Sequence, residues 1–390
     1  MAFATIGTTG IADDAVTSAK VAPGVVDTEA QPNQAPIIIN GDMAVAQRAT
    51  STSSITSDGF HTLDRFQTHI SSLGTWTQSQ DTDVPSGQGF ANSLKMDCTT
   101  ADASPSAGDF CIIRTKFEGQ DLQLFKKGTS NAEKFTVAFW VKSSKTGTHI
   151  VELFDIDNSR TVSQAYTISS ADTWEKKVVN FPADTTGAFG DDNGRSLDIQ
   201  FWLGTGTTYS SGTLQTTWAG QTNANRAVGQ VNLADSTSNN WYITGLQLEV
   251  GEYTSSTLPP FQHESYEDNL QRCQRYYEKS FEQGTTPAAG TSAPDGRVFG
   301  SWDGASARTQ IDFATTKRAS PTVTVYRGSN AGSGTATGTA NFIYSGAWNN
   351  HTCVSNHADD SQVSLTGSTS NFTTNGAFVA DMNFTADAEL

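Results

Sequence analysis

Short apolar runs, each closed off by a cluster of Gly, Ser, Asn or Asp, leave this chain few ways to fold. The clearest are Leu94–Cys98, Phe110–Lys116, Lys134–Lys142, Ile150–Ile156, Trp174–Phe181, Leu197–Leu203 and Trp241–Val250. In the third, Phe135, Val137, Phe139 and Val141 alternate with other residues, the period of a strand with one face in a core. Trp140 adds a large group on the opposite face. No helix-patterned stretch separates the runs, so the crossover helices of a parallel sheet are missing. The chain is therefore predicted to be all-β, with roughly ten strands forming a jelly-roll sandwich over residues 36–262. Charged residues make up only 16%, and 34 Gly suit a turn-rich protein. The 21 Phe, 8 Trp and 9 Tyr supply the core area that a disordered chain lacks.

Residues 1–35 carry a different pattern. Ile11, Val16, Val21 and Val26 recur every five residues, which matches neither a helix nor a strand. The segment is too polar to build its own core, and reads as an arm that orders by winding with identical arms or by docking into a larger assembly. After it, Ile37-Ile38-Ile39-Asn40-Gly41 reads as a strand running into a turn. Residues 263–285 form a joint. Pro259-Pro260 forbids regular structure, and then Ser265, with Glu267 and Asp268 in the next turn, predicts a helix start. Tyr266, Leu270 and Cys273 share one face, with spacing suited to packing around a threefold axis. The following RYYEKSF could prolong that helix or re-extend as a strand. Residues 286–390 predict a smaller β domain with strands near Arg297–Trp302, Thr309–Phe313, Thr322–Tyr326, Ala340–Tyr344, Gln362–Leu365 and Ala377–Phe384. The insert GSNAGSGTATGT is a flexible tip. So thin a core favours oligomerisation as a source of further burial.

A formal net charge of −16 opposes contact with nucleic-acid phosphates and with anionic lipid. No run reaches the ~18 apolar residues of a membrane span. The first residues, MAFATIGTTG, lack the basic and apolar regions of a signal peptide. Cys98, Cys111, Cys273 and Cys353 form no CxxC pair and are expected to be free, buried thiols. No local carboxylate pair or GxSxG elbow marks a hydrolase, so catalysis is not expected. Glycan binding needs aromatic faces in polar surroundings, and Trp76, Tyr209, Trp218 and Trp348 fit best. Trp140, Trp202 and Trp241 lie in apolar runs and read as core. No organic cofactor is implied. A structural metal ion has two candidate sites, the turn Asp191-Asp192-Asn193-Gly194 and the set His351, Cys353 and His357 with Asp359 and Asp360.

Several motifs resemble those of bacteriophage virion structural proteins of the tail-fibre type, common in marine and cyanobacterial phages. They are Ile39-Asn40-Gly41-Asp42-Met43 with Ala46-Gln47-Arg48, Leu63-Asp64-Arg65-Phe66, Gly245-Leu246-Gln247-Leu248-Glu249-Val250-Gly251 and Cys273-Gln274-Arg275-Tyr276-Tyr277. Less specific matches are Thr316–Thr322 and Ala386–Leu390. The resemblance implies a trimeric appendage made in the host cytoplasm, anchored to other virion proteins by its N-terminal arm. It also implies a carbohydrate-binding-module-like jelly roll and a distal part facing host surface polysaccharide. It names no catalytic residues. A head fibre or connector, or a depolymerase, would use similar folds.

Overall fold

The computed structural model describes residues 35–288, 297–302, 307–328, 338–344, 347–367 and 376–390, with the backbone alone at 297, 302, 341–344, 347–351, 354–357 and 376. Ile11, Val16, Val21 and Val26 lie outside the described residues, as does most of GSNAGSGTATGT. Residues 51–250 form two antiparallel six-stranded sheets laid face to face. The first runs β1 (Ser51–Ile55), β3 (Thr75–Asp81), β4 (Ser93–Thr100), β12 (Asn240–Val250), β6 (Phe135–Ser143) and β9 (Glu175–Phe181). The second runs β11 (Ala219–Gly220), β8 (Arg160–Ile168), β7 (Gly147–Asp155), β10 (Arg195–Thr205), β5 (Phe110–Glu118) and β2 (Gln67–Ser71). The all-β sandwich is the expected class.

Alternation decides what each sheet buries. Phe135, Val137, Phe139 and Val141 of β6 meet Leu197, Ile199, Phe201 and Leu203 of β10 in one core. Phe139 and Phe201 pack edge to face at 5.0 Å, and each fully buried ring of this kind contributes ~1.5–3 kcal/mol. Cys98 and Cys111 sit in different sheets, and all four cysteines are free and buried.

The strand expected over Ile37–Ile39 does not form, while the turn expected after it, at Asn40-Gly41, is present. Asn40 takes a left-handed φ of 61° that asparagine tolerates. Its side chain accepts from the Val45 amide and donates to the Val45 and Asp64 carbonyls. Those bonds outweigh the β-propensity of three isoleucines. At Gly41, an added Cβ would lie 2.3 Å from the Leu246 carbonyl oxygen, so only glycine fits against β12.

A one-turn helix, α1 (Thr207–Ser210), opens the loop that covers the second sheet, and α2 (Tyr266–Gln274) follows the sandwich. Ser265 caps α2 by accepting from the Asp268 amide. The helix ends at Gln274, and β13 (Tyr277–Lys279) re-extends to pair with β20 (Gly376–Asp387). Tyr266 is 47% exposed while Cys273 is fully buried against the sandwich, so Tyr266, Leu270 and Cys273 do not form a common packing face.

The last sheet adds β14 (Arg297–Trp302), β15 (Ala307–Asp312), β16 (Thr322–Arg327), β17 (Thr339–Tyr344), β18 (Ala347–Ala358) and β19 (Gln362–Gly367). Its ladder runs β20-β14-β15-β19-β18-β17 and returns to β20, closing on itself, while β13 and β16 pair with the far end of β20. Closure removes exposed edges, and small buried groups such as Ala340, Cys353 and Ala380 fill the interior. β18 was not expected, because its polar sequence AWNNHTCVSNHA hides a strand.

The two domains meet through buried polar groups. The Arg65 guanidinium, 2% exposed, stacks 3.4 Å from the Tyr276 ring, donates to the Lys116 carbonyl and pairs with Glu389. Beside it, Arg48 stacks 3.7 Å from the Tyr277 ring and pairs with Asp387 and Glu389 at 3.1 and 3.4 Å. Arg275 forks onto buried Glu118 at 2.8 and 2.7 Å. Gln47 donates to the Tyr277 carbonyl, and Asn269 of α2 accepts from the Asn40 amide and donates to Asp42. The Ala388 amide donates to the Tyr276 carbonyl, and Arg318 donates to the Ala388 and Glu389 carbonyls. The scattered motifs thus converge on one inter-domain lock.

Candidate functional site

The expected glycan aromatics separate. Trp76 is fully buried, with its Nε1 donating to the Leu73 carbonyl. Trp218 is 9% exposed and donates to the Pro182 carbonyl. Both are core residues with no free ring face, which corrects that reading. Tyr209 is half-buried and packs on Phe110 and Trp202 at 5.4 and 5.5 Å, holding its loop over the outer face of the second sheet. Trp202 is buried beneath it, where Arg226 forks onto Glu152. Trp348, His351 and His357 lie in β18 by backbone, and their side chains are outside the described residues. Among the described residues no group of three or more side chains is arranged to hold a metal. Asp191 and Asp192 sit in an exposed turn where Asp192 accepts the Gly194 amide and Asn193 exchanges hydrogen bonds with Arg318 of the second domain.

An oxygen cage does exist nearby, and an ammonium fills it. The Nζ of Lys127, wholly buried, lies 2.5 Å from Asp155 and 3.1 Å from Asp184. It also donates to the carbonyls of Thr186 and Gly187 at 3.1 and 2.7 Å. Burial alone would raise the Asp184 carboxyl, but hydrogen bonds from Arg160 and Lys127 hold it below its ordinary value. Trp218 and Phe189 pack their rings 5.1 Å from the same ammonium.

The outer face of the first sheet carries a different arrangement. Because β6 turns Phe139 and Val141 inward, Trp140 and Lys142 point out, and β12 does the same for Tyr242 by burying Trp241 and Ile243. Register then sets Lys95, Tyr242 and Lys142 in a row across β4, β12 and β6. One step along, Trp140 pairs with Thr244 and Lys176. Trp174, just before β9, meets Tyr242 edge to face at 6.0 Å and donates its Nε1 to Asp83 at 2.9 Å. Both tryptophans are half-buried, whereas Trp241 is wholly core.

Electrostatics fix this platform. The Lys142 ammonium sits 4.1 Å from the Tyr242 ring centre and pairs with Asp83. Burial works against charge at Lys95, yet Asp97 at 2.9 Å and Tyr242 push its pKa up to about 12. Burial would raise Asp83, but hydrogen bonds from Lys142 and Trp174 hold it below the usual carboxylate range. Tyr242 and Lys142, each 7% exposed, form the base of this face, and what it presents to solvent is the two half-buried tryptophans with Lys95 and Asp97. That set can stack on a sugar ring and bond its hydroxyls.

No protein-family model matches the sequence, and no curated protein sequence matches it significantly. Among solved structures, the enzymatically active domain of bacteriophage CBA120 tailspike protein 4 is 14% identical, with a TM-score of 0.30 over 55% of this chain and 21% of its own. A CBM4 structure is 11% identical, with a TM-score of 0.27 over 54% of this chain and 97% of its own. TmCBM61, in complex with β-1,4-galactotriose, is 8% identical, with a TM-score of 0.28 over 56% and 99%. The chain spans only about a fifth of the tailspike structure, and all three likenesses are too loose to assign a ligand to it.

Proposed function

We propose that this protein binds glycans without cleaving them, through the Trp140 and Trp174 face of its sandwich, as an adhesive component of a phage virion. The carrying observation is the pair of half-buried tryptophans beside the partly exposed Lys95, set over a buried base of Tyr242 and Lys142. Stacking surface and hydrogen-bonding groups there lie on rigid strands, which keeps the ordering cost of binding low. The virion assignment rests on the motif resemblance, with residues 1–35 as anchor and a homotrimer as the assembled form. Three copies per fibre make weak single contacts sufficient for adhesion.

The test is retention of the full-length protein on host cells and on a glycan array. Binding should weaken about tenfold in Trp174→Ala, a loss of ~1.4 kcal/mol. A wild-type protein that retains no glycan and no host cell would sink the reading. Oligosaccharides released from a host polysaccharide by purified protein would refute the non-catalytic part. Immunolabelling that places the protein on the capsid would make it a head fibre.

A further inference from the structure

A concavity of about 580 Å³ lies where the two domains meet. That volume is within the ~300–1,000 Å³ of small-molecule sites. Its floor is one face of a three-stranded patch. Register places Asp387 of β20 between Tyr277 of β13 and Thr322 of β16, and Thr385 opposite Thr324. Alternation puts Tyr326 on the same side as Thr324. Arg48, from the other domain, forms one wall beside Glu389. Neither domain builds this groove alone.

The lining chemistry is specific. Threonine hydroxyls both donate and accept, as sugar hydroxyls do. Asp387 is held by Arg48 at 3.1 Å and by the Glu389 amide, yet its side chain is 45% exposed, leaving acceptor positions open. The Arg48 side chain is about nine-tenths buried and locked over Tyr277, so its donors are preorganised. Tyr326, braced edge to face on Phe281 at 5.4 Å, supplies an aromatic wall. Two guanidinium groups, Arg48 and Arg65, already answer the carboxylates Asp387 and Glu389, so the groove has no unpaired positive charge to draw an anionic ligand. We propose that this groove is a second binding site, independent of the tryptophan face, for a neutral hexopyranoside.

Saturation-transfer NMR on the full-length chain tests this with methyl glucoside, methyl galactoside and methyl mannoside, and with glucuronate as the anionic arm. The measurement is made in the Trp174→Ala chain, so that the tryptophan face is weakened. At least one neutral glycoside should receive saturation and glucuronate none. Thr324→Val and Asp387→Asn, both close in shape to the native side chains, should each weaken binding by about tenfold. The exposed control Lys134→Ala, which lies in the sandwich, should leave it unchanged. Saturation of glucuronate, transfer indifferent to both groove variants, or no transfer to any sugar would overturn the groove. Transfer seen in the wild type but lost in Trp174→Ala would overturn it too, while leaving the tryptophan face standing.

Discussion

Lys127 shows how one side chain can hold a loop to a sheet. Its ammonium neutralises Asp155 on β7 and reaches Asp184, Thr186 and Gly187 in the segment after β9. Lys127→Met keeps the stem but leaves two carboxylates buried without that cation. Loss of one partner of a buried pair costs ~3–5 kcal/mol, and Arg160 still satisfies Asp184 here, so urea unfolding should show a loss of about 3 kcal/mol. A loss under ~0.5 kcal/mol, the size of an ordinary surface change, would show that the cage is not structural. The same scale explains the tryptophans. Trp76 sits in TWTQSQD, whose inward positions include Gln78 and Gln80. Gln78 spends its polarity on Thr62 and Thr68, so a core-facing row looks like a polar surface strand in sequence. Trp140 erred the other way. It lies in an apolar run, yet the alternation of its neighbours already assigned it to the outer face.

Among the elements, β20 is the one that ties the molecule together. It belongs to the closed ladder, pairs with β13 and β16, and carries Asp387 into the lock with Arg48, with Glu389 just beyond it. Arg65→Ala removes the stack on Tyr276, the pair with Glu389 and the bond to Lys116 together. Stability should fall by about 3 kcal/mol. More tellingly, calorimetry should resolve two transitions where the wild type gives one, because the domains would no longer unfold as a unit. A single transition shifted downward would mean that the remaining contacts suffice to couple them. Gly41→Ala, which forces a Cβ into the Leu246 carbonyl, should cost ~1–3 kcal/mol by a separate route. The helix start at Ser265 was legible because capping is local. The dissolution of Ile37–Ile39 as a strand was not, since it depends on bonds from Asn40 to Val45 and Asp64.

For the whole molecule, burial of the lock predicts a pH response. Burial pushes the Asp64 pKa up from 3.8 to about 6, against the pull of Arg48. Between those values the folded chain holds a proton that the unfolded chain has released, so stability falls as pH rises. Burial also draws Lys279 down from 10.5 to about 8. Between about 8 and 10.5 the unfolded chain holds the extra proton, so stability rises with pH. His149, drawn down by burial from 6.5 to about 4, and Lys116, drawn down from 10.5 to about 7, act in the same sense as Lys279, so His149 opposes the Asp64 trend below pH 6.5. The Asp64 part is isolated by comparing denaturant midpoints of the wild type and Asp64→Asn from about pH 4 to 6: the wild type should lose ground to the variant as pH rises. A difference between the two that does not change with pH would assign the effect to other groups.

Periodicity and turn chemistry act between residues close in the chain. The all-β class, most sandwich strands, the free cysteines and the capped helix could therefore be read from one residue to the next. The motifs at Asn40, Arg48, Arg65, Arg275 and Glu389 stood out as a pattern without a reason. Their reason is spatial: residues more than two hundred positions apart bury polar and charged groups against one another. The same holds for the candidate sites. Strand alternation offers each aromatic only a face, and it takes sheet order and register to set Tyr242 between two lysines and Asp387 between a tyrosine and a threonine.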